Sequence, residues 1–233
     1  ALGWRDLWTR PLPSLLYGLG VALLSLLVIA AMVNFGWAQI LFPALSGFLV
    51  VGPLLATGLY EKSRRLEAGE PVSLWRMLFP GRGAGAHLLF VGAILLTLML
   101  VWMRAAVLLY ALFFGWRPFP GFDHIVTMLF TTPVGLTMLV TGTAIGGLFA
   151  AFSFAISAFS IPMLLDRKLD AFSAMAMSMS LVWNNLPAAL LWGAIILLLT
   201  LLSLGTALTG LIIIFPLLGH ATWHAYAAMR DEK

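Results

Sequence analysis

Two histidines near the end of the chain have a spacing that could support metal or proton chemistry. His220 and His224 are four residues apart, so on a helix both imidazoles lie on one face and could share a metal ion. The metalloprotease pattern is absent, because no Glu follows His220 and no third ligand is evident. A haem site is less favoured still, since paired axial histidines normally come from facing helices. A proton relay is a further alternative, and we favour an interfacial belt in which His, Trp and Tyr make local hydrogen bonds.

A second group of polar side chains is predicted at the same boundary. Tyr60 and Glu61 end an apolar stretch, and Arg64 and Arg65 follow them. Three further polar side chains fall at similar depth: Asp166, Asn184 and Asn185. Together with the histidine pair, these groups predict a polar crevice at the membrane boundary. The simpler interpretation, which we favour for Glu61, is an ion pair with Arg64 or Arg65 on its own helix.

Arg104 is a charged residue inside a long apolar stretch. Such a charge is costly in a membrane and by default marks a pathway or a buried ion pair. Counted from His87, it lies about 25 Å along its helix, near the outer edge of a hydrocarbon core about 30 Å thick. Snorkelling to the surface or pairing with Asp123 is the favoured interpretation, and a role in transport is the alternative.

Several classes of function are disfavoured by residues that the chain lacks. It contains no cysteine, which excludes disulfides, thiolate metal sites and iron–sulfur ligation. Residues 81–85 are glycine-rich but lack the phosphate-loop Lys-Ser/Thr, and no nucleophile elbow or HExxH motif occurs. We therefore expect no catalytic residue, no enzyme activity and no cofactor beyond the alternative metal at His220 and His224. Nucleic-acid binding is not expected either, because the basic residues lie in loops between apolar stretches.

The composition places these residues in a membrane protein. Hydrophobic residues make up 62% of the 233 residues, charged residues only 9%, and the mean hydropathy is +1.03, whereas soluble chains carry roughly 25% charged residues. Long apolar runs without the alternation of barrel strands predict spanning helices. We predict one all-α domain, residues 1–233, with six spans: 14–35, 38–60, 87–115, 133–162, 187–206 and 209–226. The first span is not expected to be a cleaved signal peptide, because charged residues precede it and no small-x-small site follows.

Two short amphipathic helices are predicted between the spans, and both are expected to lie in the membrane interface. One covers residues 72–79, after Pro71, and the other runs to Asn184. On the second, four apolar side chains share a face: Phe172, Met175, Met179 and Val182.

The basic residues predict an orientation. Of the 13 lysines and arginines, eleven fall on one side of the six-span topology, Arg117 falls on the other and Arg104 lies within a span. The positive-inside rule then places both termini in the cytoplasm. The prediction depends on residues 187–226, a charge-free tract too long for one crossing, which must turn near residues 205–210.

Small residues and prolines give weaker signals. Gly142, Gly146 and Ala150 form one ridge of small residues, and a second ridge runs beside it, which predicts close helix packing. The second ridge comprises Gly147, Ala151 and Ala155. Prolines at 53 and 216 predict kinks of the kind that transporters use. A short echo, RLE at 65–67 and KLD at 168–170, allows an internal duplication, although charged turns of this kind are common.

Three segments resemble a known family. Residues 47–69 (GFLVVGPLLATGLYEKSRRLEAG), 3–7 (GWRDL) and 219–226 (GHATWHAY) are similar to a bacterial inner-membrane family described as domain of unknown function 2189. The resemblance implies a six-span protein of the bacterial inner (cytoplasmic) membrane. Some members are labelled as cytochrome oxidase subunit I-like, but the four histidines here are too few for such a catalytic subunit.

Two main hypotheses for function remain. One is a non-catalytic accessory or assembly subunit that packs against a larger membrane complex, with a respiratory complex as one alternative. The other is a small-solute or ion transporter or channel, suggested by Arg104 and the prolines. A membrane metal-binding protein using His220 and His224 is a weaker third. The expected partners are the lipid bilayer and other membrane subunits.

Overall fold

A computed structural model describes residues 1–37, 40–79, 85–115 and 121–231 of the chain. The described residues form helices and turns and contain no strand. The spanning helices are α2 (Pro11–Asn34), α3 (Leu41–Leu55) continued by α4 (Thr57–Glu67), α6 (Gly85–Phe114), α8 (Pro133–Ser157) continued by α9 (Ser160–Asp166), α11 (Leu186–Gly205) and α12 (Leu211–Asp231). The shorter helices are α1 (Leu2–Trp8), α5 (Leu74–Leu78), α7 (Phe122–Thr131) and α10 (Ala171–Asn184).

Six of these segments are long and apolar enough to cross a membrane, which confirms the predicted helical polytopic fold. Most of the predicted boundaries agree with the helices to within a few residues. The second and fourth spans continue to Glu67 and Asp166, beyond their predicted ends at 60 and 162. Both extensions begin at short breaks in the helix, at Ala56 and at residues 158–159. Polar residues after Tyr60 thus remain helical, because Glu61 can pair with cations three and four positions on.

Local sequence explains where several helices begin. Pro11 occupies the first turn of α2, where its missing N–H costs nothing. Thr132 caps α8 by accepting a hydrogen bond from the Gly135 N–H, and Pro133 follows it. Asp170 caps α10 in the same way through the Ser173 N–H.

The turn between the last two spans lies where the sequence requires it. Residues 206–210 separate α11 from α12. Ala207 and Leu208 have positive φ angles of 51° and 66°, a region that residues with a Cβ rarely adopt. Backbone hydrogen bonds from Leu208 to Ser203 and from Ala207 to Leu204 close the end of α11. The long apolar tract is therefore two antiparallel helices.

The last helix, α12, joins one half of the bundle. It packs against α1, α2, α4 and α11, whereas α6 packs between α3 and α8. Gly18 of α2 allows the closest approach to α12, because a Cβ there would meet the Ile212 carbonyl and the Pro216 ring. The largest buried side chains include Trp223, Tyr226 and Lys62. The Trp223 indole N–H, the Tyr226 hydroxyl and the Lys62 ammonium therefore need hydrogen-bond partners inside the protein.

The two predicted amphipathic helices are present as α5 and α10, but the face assigned to α10 was partly wrong. Met175 and Val182 are buried, while Phe172 and Met179 are exposed. The buried face is instead completed by small residues, including Ala174 and Ser178, because small side chains let α10 approach α8 and α9 closely.

Two further helices, α1 and α7, were not predicted. Between the third and fourth spans the structure is described from Gly121, and α7 begins at Phe122. The helix α1 packs on α12, and that contact brings the start and the end of the chain together.

Candidate functional site: a buried polar network at one end of the bundle

The N-terminal helix α1 docks on α12 through a small residue and a carboxylate. A Cβ at Gly3 would lie 2.8 Å from the backbone nitrogen of Ala221, so only glycine permits this contact. One turn further on, Asp6 is buried and accepts a hydrogen bond from His224 Nε2 at 2.7 Å. Leu7 beside it is fully buried. The helix α1 therefore forms one side of the site.

Electrostatics keep the Asp6 carboxyl ionised. Burial alone would raise its pKa, but interactions with the side chains of His224 and Ser63 hold the pKa of Asp6 below its ordinary value. The Arg5 guanidinium, 3.3 Å from Oδ1, adds a mostly exposed ion pair. A charged carboxylate therefore lies inside the protein at the start of the chain.

Lys62, on α4, is buried at the same end of the bundle as Asp6. Its side chain is 0% exposed. Nζ donates to Ser14 Oγ at 2.7 Å and to the Arg10 carbonyl at 3.0 Å. Both acceptors belong to the start of α2, so Lys62 ties α4 to α2 through neutral oxygens.

His220 lies between the lysine and the carboxylate. Its Nε2 is 2.9 Å from Ser14 Oγ, and its Nδ1 is 2.8 Å from Ser63 Oγ. The ring is fully buried. We call the six connected side chains the polar network, and they are Lys62, Ser14, His220, Ser63, Asp6 and His224.

The predicted metal pair is divided within this network. His220 turns to α2 and α4, whereas His224 turns to Asp6 of α1. In the part of the chain that the structure describes, no three His, Cys, Asp or Glu side chains are grouped so as to hold a metal ion. Metal binding at His220 and His224 stays a prediction.

A second cluster of charges closes the same end of the bundle. Arg230 of α12 donates to Glu67 of α4 at 2.7 Å and to Asp166 of α9 at 3.2 Å. Trp223 Nε1 donates to Glu67 at 2.9 Å, and the Tyr226 hydroxyl donates to Asp166 at 2.8 Å. We call this end of the bundle, with the polar network and these ion pairs, the polar end.

The pairing predicted for Glu61 is present. Its carboxylate accepts from Arg64 Nε at 2.8 Å and from Arg65 Nε at 2.6 Å, and Arg65 also reaches Glu70. Tyr60 is buried next to it in the sequence. Tyr60, Glu61 and Arg64 thus lie on α4 with Lys62, and Glu61 pairs with arginines of its own helix.

The predicted crevice is separate from the histidines. A cleft of about 220 Å³ is lined by Asn184, Asn185, Tyr226 and Arg230 among others. Asp166 does not line the cleft, but it accepts hydrogen bonds from Tyr226 and Arg230, which do. Neither histidine lines the cleft.

Arg104 is not part of the site. It is exposed on α6, on the face that carries the exposed Val101 and Leu108. Among the described side chains, no carboxylate lies within ion-pair distance of it. Snorkelling along the outside of the helix fits this position, and the side chain of Asp123, its predicted partner, lies outside the described part of the chain.

Sequence reasoning missed the two charges that define the network, Asp6 and Lys62, and both serines. A usable signal for Asp6 was its place between Gly3 and Leu7 on one face of a short amphipathic segment. Ser14 and Ser63 gave no signal, because serine is common at the ends of helices.

Comparison with known proteins gives a family and no closer relative. The family model described as "Predicted integral membrane protein (DUF2189)" matches residues 41–166, which run from α3 to α9 and include Tyr60 to Glu67. Comparisons with curated proteins and with solved structures gave no match. The matched residues cover more than half of the 233-residue chain, and the chain therefore belongs to the DUF2189 family of integral membrane proteins.

Proposed function

We propose that the protein is a non-catalytic accessory or assembly subunit that packs against a larger membrane complex. The observation that carries this proposal is the uneven burial of the spans. In four of the six, no more than 22% of the apolar stretch is buried, against 50% and 56% in the other two. A chain with so much uncovered helix surface has room for neighbouring helices as well as lipid.

A specific face supports the docking of a partner helix. The two predicted small-residue ridges of α8 have different surroundings. A Cβ at Gly146 would lie 2.7 Å from the Trp102 ring, so the first ridge packs on α6 at this position, while a Cβ at Gly142 would meet nothing within 4 Å. A Cβ at Gly147 would meet nothing within 4 Å, and Thr143 and Ala151 are exposed beside it. The second ridge would allow a partner helix to approach closely.

The polar end supports the same proposal in a different way. Its charged side chains pair with one another across α4, α9 and α12, and α9 continues the helix that carries the proposed docking ridge. We further propose that this end faces the cytoplasm of a bacterial inner membrane, on the basis of the basic residues clustered there.

Purification from native membranes in a gentle detergent tests the proposal. We expect a stoichiometric partner with the wild-type chain and its loss with Gly147→Leu, because the larger side chain fills the open ridge. Gly193→Leu is the matched control, since a Cβ at Gly193 on α11 also meets nothing within 4 Å, and it should retain the partner.

A wild-type chain that purifies alone would refute the subunit proposal. A partner retained equally by both glycine variants would instead show that the partner docks elsewhere than at the α8 ridge. Circular dichroism of both variants, expected to match the wild type, separates loss of docking from loss of folding.

A further inference from the structure

We propose that Lys62 and Asp6 exchange a proton through Ser14, His220 and Ser63, so that the polar network is a buried proton-transfer site. This inference is independent of the proposed subunit role. It follows from which atoms in the network can donate and which can accept.

The lysine sets the direction of the first hydrogen bond, and a neutral ring at His220 sets the direction of the others. A lysine ammonium can only donate, so Ser14 Oγ accepts from Nζ and its own proton is free for His220 Nε2. Nε2 then accepts, which leaves the imidazole proton on Nδ1, where it points to Ser63 Oγ. Ser63 is in turn one of the groups that lower the pKa of the Asp6 carboxyl, so its hydroxyl faces that carboxylate. The bonds from Lys62 to Ser63 then all run from the ammonium towards the carboxylate.

A concerted shift along this chain conserves all atoms and charge. The Lys62 N–H bond breaks as a Ser14 O–H bond forms, and the former Ser14 proton moves to His220 Nε2. The Nδ1 proton moves to Ser63, whose own proton protonates Asp6. The products are a neutral amine and a neutral carboxylic acid, and no electron is transferred. The reversed chain has the same number of hydrogen bonds, so neither state leaves a buried group unpaired.

The placement of the two charges favours such an exchange. Among the described residues, Lys62 donates only to neutral oxygens, and a buried charge without a counter-ion in contact is costly. Three side chains that can each donate and accept separate it from Asp6. A network that served only to stabilise the fold would gain more from a direct ion pair.

The chain of hydrogen bonds reaches solvent on one side. His224, whose side chain is 15% exposed, contacts Asp6 at 2.7 Å, and the guanidinium of Arg5 lies at the same carboxylate. Towards the other end of the bundle, α2 and α12 bury apolar side chains, among them Val21, Ala22 and Phe215. The site therefore takes up and releases protons at the polar end and does not carry them across the membrane.

Hydrogen exchange at the lysine side chain tests the proposal. The chain has three lysines, Lys62, Lys168 and Lys233, so lysine labelling with ¹⁵N of the full chain in nanodiscs gives few signals. We expect the buried Lys62 Nζ protons to exchange with water readily in the wild type. Ser63→Ala removes one link and should slow this exchange by roughly tenfold, the effect of one lost hydrogen bond on a barrier.

Ser157→Ala is the matched control. Ser157 is equally buried, but its hydroxyl bonds only the Ser153 carbonyl of its own helix, so Lys62 exchange should be unchanged. If Ser63→Ala does not fold, Ser14→Ala breaks the chain at its other end with the same expected result. Equal exchange in the wild type and the network variant, or equal slowing by the control, overturns the proposal.

The protonation of His220 gives an independent test. Histidine labelled with ¹⁵N should show His220 as a neutral ring at neutral pH, since one nitrogen must accept. A doubly protonated imidazolium at His220 could not accept from Ser14 and would overturn the proposal.

Discussion

The polar end and the membrane-facing surface of this protein use their side chains in opposite ways. At the polar end, charged and aromatic groups such as Asp6, Lys62 and Trp223 are buried and bonded across different helices. On the surface of α2, α6 and α11, leucines such as Leu27, Leu112 and Leu198 are exposed. In water that exposure would be unfavourable, but lipid tails are as apolar as leucine.

This difference indicates where the fold is specified. Apolar side chains gain little from leaving lipid for another helix, so the lateral surface contributes weakly to the choice of neighbours. A buried polar group that makes no hydrogen bond lowers the stability of the fold by its desolvation cost. The contacts that select one arrangement of α1, α2, α4, α9 and α12 are therefore concentrated at the polar end.

The largest expected effect comes from removing a buried tryptophan of the polar end, compared with an exposed tryptophan on α10. Trp223→Ala should lower the free energy of unfolding by about 3–5 kcal/mol, because it leaves a cavity and removes the donor to Glu67. Trp183→Ala, at a side chain that is 78% exposed, should change it by no more than about 0.5 kcal/mol. Unfolding in detergent, followed by circular dichroism, measures both. Similar losses in the two variants would remove the contrast between the regions.

A smaller effect is expected at the docking of α1. Asp6→Asn removes the charge that His224 and Ser63 face, and should cost about 1–3 kcal/mol at neutral pH. Glu70→Gln is the control, because Glu70 is a partly exposed partner of Arg65, and it should cost no more than about 1 kcal/mol. A loss at Glu70 as large as that at Asp6 would count against a special role for the docked helix.

The same variant predicts a pH dependence. The pKa of Asp6 is lower in the folded chain than its ordinary value of 3.8. Such a group contributes stability above its unfolded pKa and loses it as the pH falls through the folded value. The stability difference between wild type and Asp6→Asn should therefore be constant near neutral pH and shrink below about pH 4. A difference that grows on acidification contradicts the assignment.

The fold could be predicted from the sequence because lipid imposes simple rules. Charge-free stretches of spanning length place the helices, and the need to divide residues 187–226 places a turn at 206–210. The same rules fail for α1, because seven residues are too few for a span. They also fail for α10, where small residues rather than large apolar ones face the bundle.

The site could be predicted only where its partners are close in sequence. Glu61 and Arg64 are three positions apart, and helical spacing alone suggests their ion pair. Asp6 and His224 are 218 positions apart, and no periodicity relates them. Lys62 looked like one of several basic residues in a loop, because its burial depends on α2 packing over it.

A cap at the other end of the bundle should matter less than the polar network. Thr132→Ala removes the side chain that accepts from the Gly135 N–H at the start of α8 and should cost about 1 kcal/mol. Thr131→Ala is the matched control, since that hydroxyl bonds the Thr127 carbonyl within α7 and caps nothing. Thermal unfolding in detergent compares the two, and equal effects would show that the cap does not contribute.

The smallest effect is expected at Arg104, although it is a charge within a span. It lies on the exposed face of α6, where a long side chain can carry its guanidinium to the membrane surface. Arg104→Leu should then alter the free energy of unfolding by no more than about 0.5 kcal/mol. Lys62→Leu provides the comparison, because it removes a buried ammonium and leaves Ser14 and the Arg10 carbonyl without their donor. Its cost should exceed that of Arg104→Leu by at least about 1 kcal/mol. If Arg104→Leu were the more destabilising of the two, the lateral surface would hold a buried polar contact of its own, and the division between the two regions would have to be redrawn around it.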